Sequence, residues 1–133
     1  MPGSWNLNDA VIACGTCVGC RIRRSEDWMI RLTHESRMHD RSAFLTLTYA
    51  DKMLPADRSI SVKHWQLFAK RLRKEVGPFR FYHVGEYGEK KGRPHYHAMI
   101  FGPDLLKKAD QVGSGKRGDP LFRNSMVEDL WRN

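Results

Sequence analysis

The chain has 133 residues, 41% hydrophobic and 11% aromatic, enough for one domain with a modest core and too apolar for an intrinsically disordered segment. No apolar run approaches the roughly 18 residues of a membrane span, and the polar start, Met1 to Asn8, lacks the apolar stretch of a signal peptide. With 23 Lys and Arg against 15 Asp and Glu, the net charge is +8 and the pI about 9.7, which favours an anionic partner, nucleic acid first.

Residues 1–13 read as a loose leader. Three cysteines then fall within seven residues, Cys14, Cys17 and Cys20. An odd count in a chain without secretory features argues against disulfides and for reduced thiols free to bind metal. The spacing makes them candidate zinc ligands, with His34 or His39 folding back as the fourth; plain reduced thiols are the alternative. Arg21 to about Met38 lacks Gly and Pro, and Ile22, Trp28, Met29 and Leu32 make an imperfect apolar stripe, so a helix is expected.

Ser42 to Tyr49 is strand-like, with Thr46 and Thr48 on one face. After a loop around Pro55, Ser61 caps a helix through Val76: Trp65, Phe68, Leu72 and Val76 recur at three and four, and Gly77-Pro78 stops it. Its Trp65 and Phe68 belong to the core rather than to a base-stacking platform. Phe79 to Tyr87 and Pro94 to Phe101 read as two strands of a hairpin around a polar, glycine-bearing turn. Residues 103–120 look like loop, and Ser125 to Trp131 like a last helix. The order β-α-β-β-α is the beginning of a ferredoxin-like α+β sandwich, an antiparallel sheet with flanking helices, ending before the closing strand. The expected division is a leader with the cysteine cluster over 1–19 and an α+β domain over 20–133.

Strand side chains alternate between faces, so His95 and His97 share one face and Tyr96 lies on the other. Two imidazoles on one strand face are a ready pair of metal ligands. The neighbouring strand offers Glu86; Glu89, in the turn, is less well held. Two His and one carboxylate suit Mg2+ or Mn2+ and leave coordination positions open for phosphate oxygens. A plain hairpin with two surface histidines is the simpler alternative.

Basic residues fall in groups. Lys90, Lys91 and Arg93 flank the histidines where a phosphate would enter; Arg73 with Lys74 and Lys116 with Arg117 are further candidates for DNA binding. Gly113 to Arg117 is no nucleotide loop, because Asp110 stands where the first glycine belongs and Arg117 replaces the Ser or Thr, so no nucleotide cofactor is expected. A two-histidine cyclic-phosphate hydrolase would need two His-x-Ser/Thr motifs, and His34-Glu35-Ser36 is a single match.

Phe44 to Tyr49, Gly85-Glu86-Tyr87-Gly88 and Gly92 to Gly102 together, preceded by Cys14-Gly-Thr-Cys17-Val-Gly-Cys20-Arg21, resemble the replication initiators of gokushovirus-type microviruses. Those belong to the HUH rolling-circle endonucleases, and the likeness runs from about residue 13 to residue 131. It implies an HUH-type endonuclease domain that nicks single-stranded origin DNA through a tyrosine, keeping a covalent 5′ link. It also implies Mg2+ or Mn2+ on Glu86, His95 and His97, and a place in the cytoplasm of a bacterial host beside the host replication machinery. In that family the nucleophilic tyrosine stands on a helix beyond the fourth strand, and the sequence ends at Asn133 before such an element. The nucleophile is therefore expected outside these residues, with Tyr49 and Tyr87 as the weaker candidates within them. The rival reading is a non-catalytic, zinc-stabilised DNA-binding module with vestigial histidines.

Overall fold

In the computed structural model, which describes residues 4–7 and 10–132, the histidine-bearing segment is the central strand of a three-stranded antiparallel sheet. The elements in chain order are β1 (Ser4–Leu7), β2 (Ala10–Ala13), α1 (Val18–Arg37), β3 (Ser42–Thr48), α2 (Val62–Val76), β4 (Arg80–Tyr87) and β5 (Pro94–Phe101). After these come β6 (Ala109–Ser114), β7 (Pro120–Asn124) and α3 (Ser125–Arg132). They divide into two units, Met1–Met38 and His39–Asn133.

In the first unit β1 pairs antiparallel with β2, where the sequence suggests a loose leader; strands of four residues are too short to show a period in sequence. The remainder of that leader lies outside the described residues. α1 begins earlier than its composition suggests, because Cys17 takes the N-cap position and the Arg21 N–H donates to the Cys17 carbonyl at 3.0 Å. His34 and Arg37 in the last turn complement the helix dipole. No residue between 12 and 38 is buried.

In the second unit the sheet order is β3-β5-β4, and α2 connects β3 to β4. That is the order of a ferredoxin-like α+β fold. Burial along β5 alternates from Pro94 to Ile100, as the period of two requires. Pro94, Tyr96, Ala98 and Ile100 point into the core, and His95, His97 and Met99 point to the opposite face.

α2 covers the core face with Trp65, Phe68, Ala69 and Leu72, the i, i+3, i+4, i+7 stripe of a half-buried helix. Ser61 Oγ accepts from the His64 N–H, and the Gly77 N–H donates to the Arg73 carbonyl at 3.0 Å with Gly77 at φ 82°, a conformation suited to glycine. Trp65 lies parallel to the His83 ring of β4, centroids 4.4 Å apart, and against Phe81 at 5.1 Å. Asn124 caps α3 through Oδ1, which accepts from the Val127 N–H at 3.1 Å. From α3, Trp131 packs on Tyr49, Phe68 and Tyr96 and donates Nε1–H to the Thr48 carbonyl at 2.9 Å.

Residues 103–120, expected as loop, contain β6, which pairs with β7 from Ala109↔Asn124 to Ser114↔Pro120 with an irregularity at Gln111/Gly113. Nearly every side chain of this hairpin is exposed, so no alternation of buried and exposed positions marks it in sequence. The element order of this unit is thus β-α-β-β-β-β-α.

Burial pushes the His83 pKa down, so the fold holds the ring neutral. The unfolded chain then takes up the proton first, at about pH 6.5, and stability present above that value declines as pH falls through it. The melting temperature should therefore drop between about pH 7 and pH 5, and drop less in His83→Phe, which keeps the stack on Trp65 without the titration. An equal drop in both would assign the effect to other groups.

Candidate metal centre

Register decides what meets on the open face of the sheet. Glu86 of β4 stands directly opposite His95, Val84 opposite His97, and on the other side Thr46 pairs with His97 and Thr48 with His95. Glu86 Oε1 lies 2.6 Å from His95 Nε2 and 3.2 Å from His97 Nε2. Hydrogen bonds from His95 first and His97 second hold the Glu86 carboxyl below the usual carboxylate range.

The other nitrogen of each ring is engaged as well. His95 Nδ1–H donates to the Arg93 carbonyl at 3.2 Å, and His97 Nδ1 pairs with Thr46 Oγ1 at 3.1 Å. Were a metal ion to replace the protons shared with Glu86, donation from Nδ1 would leave the Nε2 lone pairs free for it, and that donation fixes the ring plane. Thr46 and Phe44 are the residues that sequence reasoning missed. The Phe44 ring lies 5.4 Å from that of His97 at 19° and is 63% exposed. The two-residue alternation puts Phe44 and Thr46 on one face, but only the cross-strand register identifies that face as the histidine one.

The donor set fits a hard divalent cation. Octahedral bonds of about 2.1 Å place neighbouring ligand atoms about 3 Å apart, and the two Glu86–histidine distances bracket that value. One carboxylate and two imidazoles also leave room for phosphate oxygens.

Around the centre, Lys90 and Lys91 line an open recess with Glu86, Gly88 and His95. Arg93 borders the same recess, but its guanidinium is held by Asp51 at 2.6 Å and by the Tyr49 carbonyl. Its service to the site comes from the backbone: the Arg93 carbonyl accepts from the Gly88 N–H at 2.9 Å as well as from His95, closing the turn. Arg73 lies over the rings of Phe79 and Phe81 at 4.9 and 5.4 Å, so it and Lys74 belong to α2 on the far side of the sheet from the histidines. Lys116 and Arg117 are exposed in the turn between β6 and β7, apart from the residues that line the recess.

The hydroxyls of Tyr49, Tyr87 and Tyr96 are engaged by groups other than the carboxylate, although Tyr87 lines the recess. Tyr49 is buried on the core face, its hydroxyl 2.6 Å from His64 Nδ1 and 3.0 Å from the Tyr96 hydroxyl, and burial pushes its pKa up. Tyr87 shares the core-side register, and its hydroxyl accepts from the Ile60 N–H at 3.1 Å. Tyr96 is buried with its hydroxyl on Ser61. Tyr82 shares the histidine face but sits four residues along β4 from Glu86, about 13 Å of extended strand.

The cysteines form a second cluster in the first unit, with all three Sγ atoms within 4.8 Å of one another. Cys14 accepts from the Cys17 backbone N–H at 3.4 Å and from Thr16 Oγ1 at 3.6 Å, and these bonds, the backbone one foremost, lower its pKa to about 6. His34 does not join them: it is fourteen residues beyond Cys20 on one helix, a rise of about 21 Å.

Together, fold and site define a ferredoxin-like α+β domain that presents two histidines and a glutamate on the open face of its sheet beside a basic turn. Residues 42–132 match the family described as replication-associated protein ORF2/G2P, and the chain belongs to that family. Replication-associated protein VP4 of Bdellovibrio phage phiMH2K is 36% identical over 139 residues, covering 96% of this chain and 43% of the relative. Replication-associated protein ORF4 of Chlamydia phage 1 is 35% identical, covering 91% and 32%. Replication-associated protein ORF2 of Spiroplasma virus 4 is 35% identical, covering 98% and 43%. The chain thus spans less than half the length of these relatives, which agree with the microvirus initiator resemblance. No solved structure matches it. Among the described residues no helix is long and apolar enough to cross a membrane.

Proposed function

We propose that this chain is the metal and DNA platform of a replication initiator that nicks single-stranded origin DNA to start rolling-circle replication. The observation that carries the reading is the convergence of Glu86, His95 and His97 on an exposed sheet face in a replication-associated protein. A Mg2+ or Mn2+ ion held by these three residues would polarise the scissile phosphate. The chain's own residues do the rest. Thr46 and the Arg93 carbonyl orient the imidazoles, and Lys90 and Lys91 attract the phosphate backbone into the open recess beside them.

The hydroxyls of Tyr49, Tyr87 and Tyr96 are each held by other groups, so this reading takes the attacking tyrosine from outside these residues, with Tyr87, which lines the recess, as the alternative. The test is a binding and cleavage assay with labelled single-stranded origin-type DNA. Binding should strengthen with Mn2+, weaken with EDTA, and yield no covalent adduct on a denaturing gel. An adduct abolished by His97→Ala would place the nucleophile within the chain and overturn that part of the reading. Binding indifferent to metal would overturn the whole.

Phe44, exposed and stacked beside His97, offers a ring to a nucleobase next to the metal-bound phosphate. Phe44→Ala should weaken single-strand binding by about 1–3 kcal/mol, read by fluorescence anisotropy, with Mn2+ binding retained. Unchanged affinity would mean that the strand passes elsewhere.

A further inference from the structure

We propose that Cys14, Cys17 and Cys20 hold a zinc ion that ties the β1–β2 hairpin to the start of α1. This site is separate from the histidine centre, and the proposal does not depend on the nicking reading.

Geometry supports zinc first. A tetrahedral ion with Zn–S bonds of about 2.3 Å places its thiolates about 3.8 Å apart. Cys14 Sγ and Cys20 Sγ lie 3.8 Å apart, and Cys17 Sγ is within 4.8 Å of both. The sulfurs are too far apart for a disulfide, and all three cysteines are free. A four-iron, four-sulfur cluster binds each thiolate to a different iron and spreads them more widely than a shared ion does.

Location adds a second argument. Cys14 directly follows β2, Cys17 caps α1 without making a side-chain capping bond, and Cys20 lies in the first helical turn. A single ion would therefore close the seven-residue joint between hairpin and helix. The Cys17 backbone N–H already donates to Cys14 Sγ, an arrangement that favours the thiolate a metal needs.

The third argument is energetic. The unit Met1–Met38 has 38 residues and buries none of its side chains from residue 12 onward. Units below about 40 residues generally lack the core to hold themselves together and use disulfides or metals instead. A metal bound only by the folded arrangement contributes its binding free energy to folding. Among the described residues no fourth ligand joins the three thiols.

The test uses the whole chain carrying His95→Ala and His97→Ala, which removes the other site. Purified under reduction, it should contain one zinc per chain, and exchange with Co2+ should give the thiolate-to-cobalt charge-transfer band and the intense visible bands of tetrahedral cobalt. Cys20→Ala should lose at least tenfold in zinc affinity, and Cys20→His should recover it. A measurement without cysteine variants guards against misfolding: zinc should slow maleimide labelling of all three cysteines, and EDTA should restore it. Labelling indifferent to zinc, cobalt spectra without the thiolate band, or iron in place of zinc would each overturn the proposal.

Discussion

His97→Ala should abolish stoichiometric Mn2+ binding at metal concentrations that saturate the unaltered chain, and Glu86→Gln should do the same. Each change removes one of the three side chains that would hold the ion, and among them Glu86 alone is anionic. Exposure keeps the fold out of the effect: the Glu86 side chain is 53% exposed and that of His97 25%, so neither substitution opens a core cavity. Thr46→Val should act more mildly, lowering affinity about 10–100-fold, because it frees the His97 ring without removing a ligand. Isothermal titration with Mn2+ measures all three. Retained binding in His97→Ala would move the metal elsewhere; equal loss in Thr46→Val and His97→Ala would mean that orientation, not ligation, dominates.

Trp65→Ala should cost about 3–5 kcal/mol of folding stability, a large part of the roughly 5–15 kcal/mol a domain possesses. Trp65 is 1% exposed, packs on Phe68 of its own helix, and joins α2 to the sheet through Phe81 and the stacked His83. Its indole nitrogen is buried without a partner among the described residues, so the loss is one of packing and cavity formation. Trp65→Phe, which keeps a ring in the same place, should lose substantially less. Urea unfolding followed by circular dichroism gives both values. Similar small losses would show that the helix is held instead by the Ser61–Tyr96 hydrogen bonds at its N-terminus.

The two large effects arise on opposite faces of one sheet, and β5 links them. Tyr96 anchors the start of α2 while its neighbours His95 and His97 face the other way. Gly85, opposite Tyr96 and next to Glu86, is where these demands meet. A Cβ there would come within 2.7 Å of Ile60 Cγ2, so the chain leading into α2 can close over β4 only if this position lacks a side chain.

Much of this was legible in the order of residues. Pro94 to Phe101 alternates, so the shared face of His95 and His97 follows from backbone geometry alone. α2 carries its own stop and start signals in Ser61 and Gly77-Pro78, and its apolar spacing identifies the buried stripe. Glu86 could be preferred over Glu89 because a strand holds its side chains more firmly than a turn. These features depend on contacts a few residues apart or on a fixed backbone period, which is why the sequence by itself determined them.

Only the tertiary structure decided the rest. Thr46 reaches His97 across 51 residues, and the Arg93 guanidinium is paired with Asp51 across 42. Tyr49, at the end of a strand, is turned into the core by His64, Tyr96 and Trp131. The β6–β7 hairpin carried no signal, because exposed strands held by backbone pairing leave no pattern of burial for a sequence to show. Cross-strand register and long-range side-chain pairing arise from closing the sheet, and local propensity does not encode them.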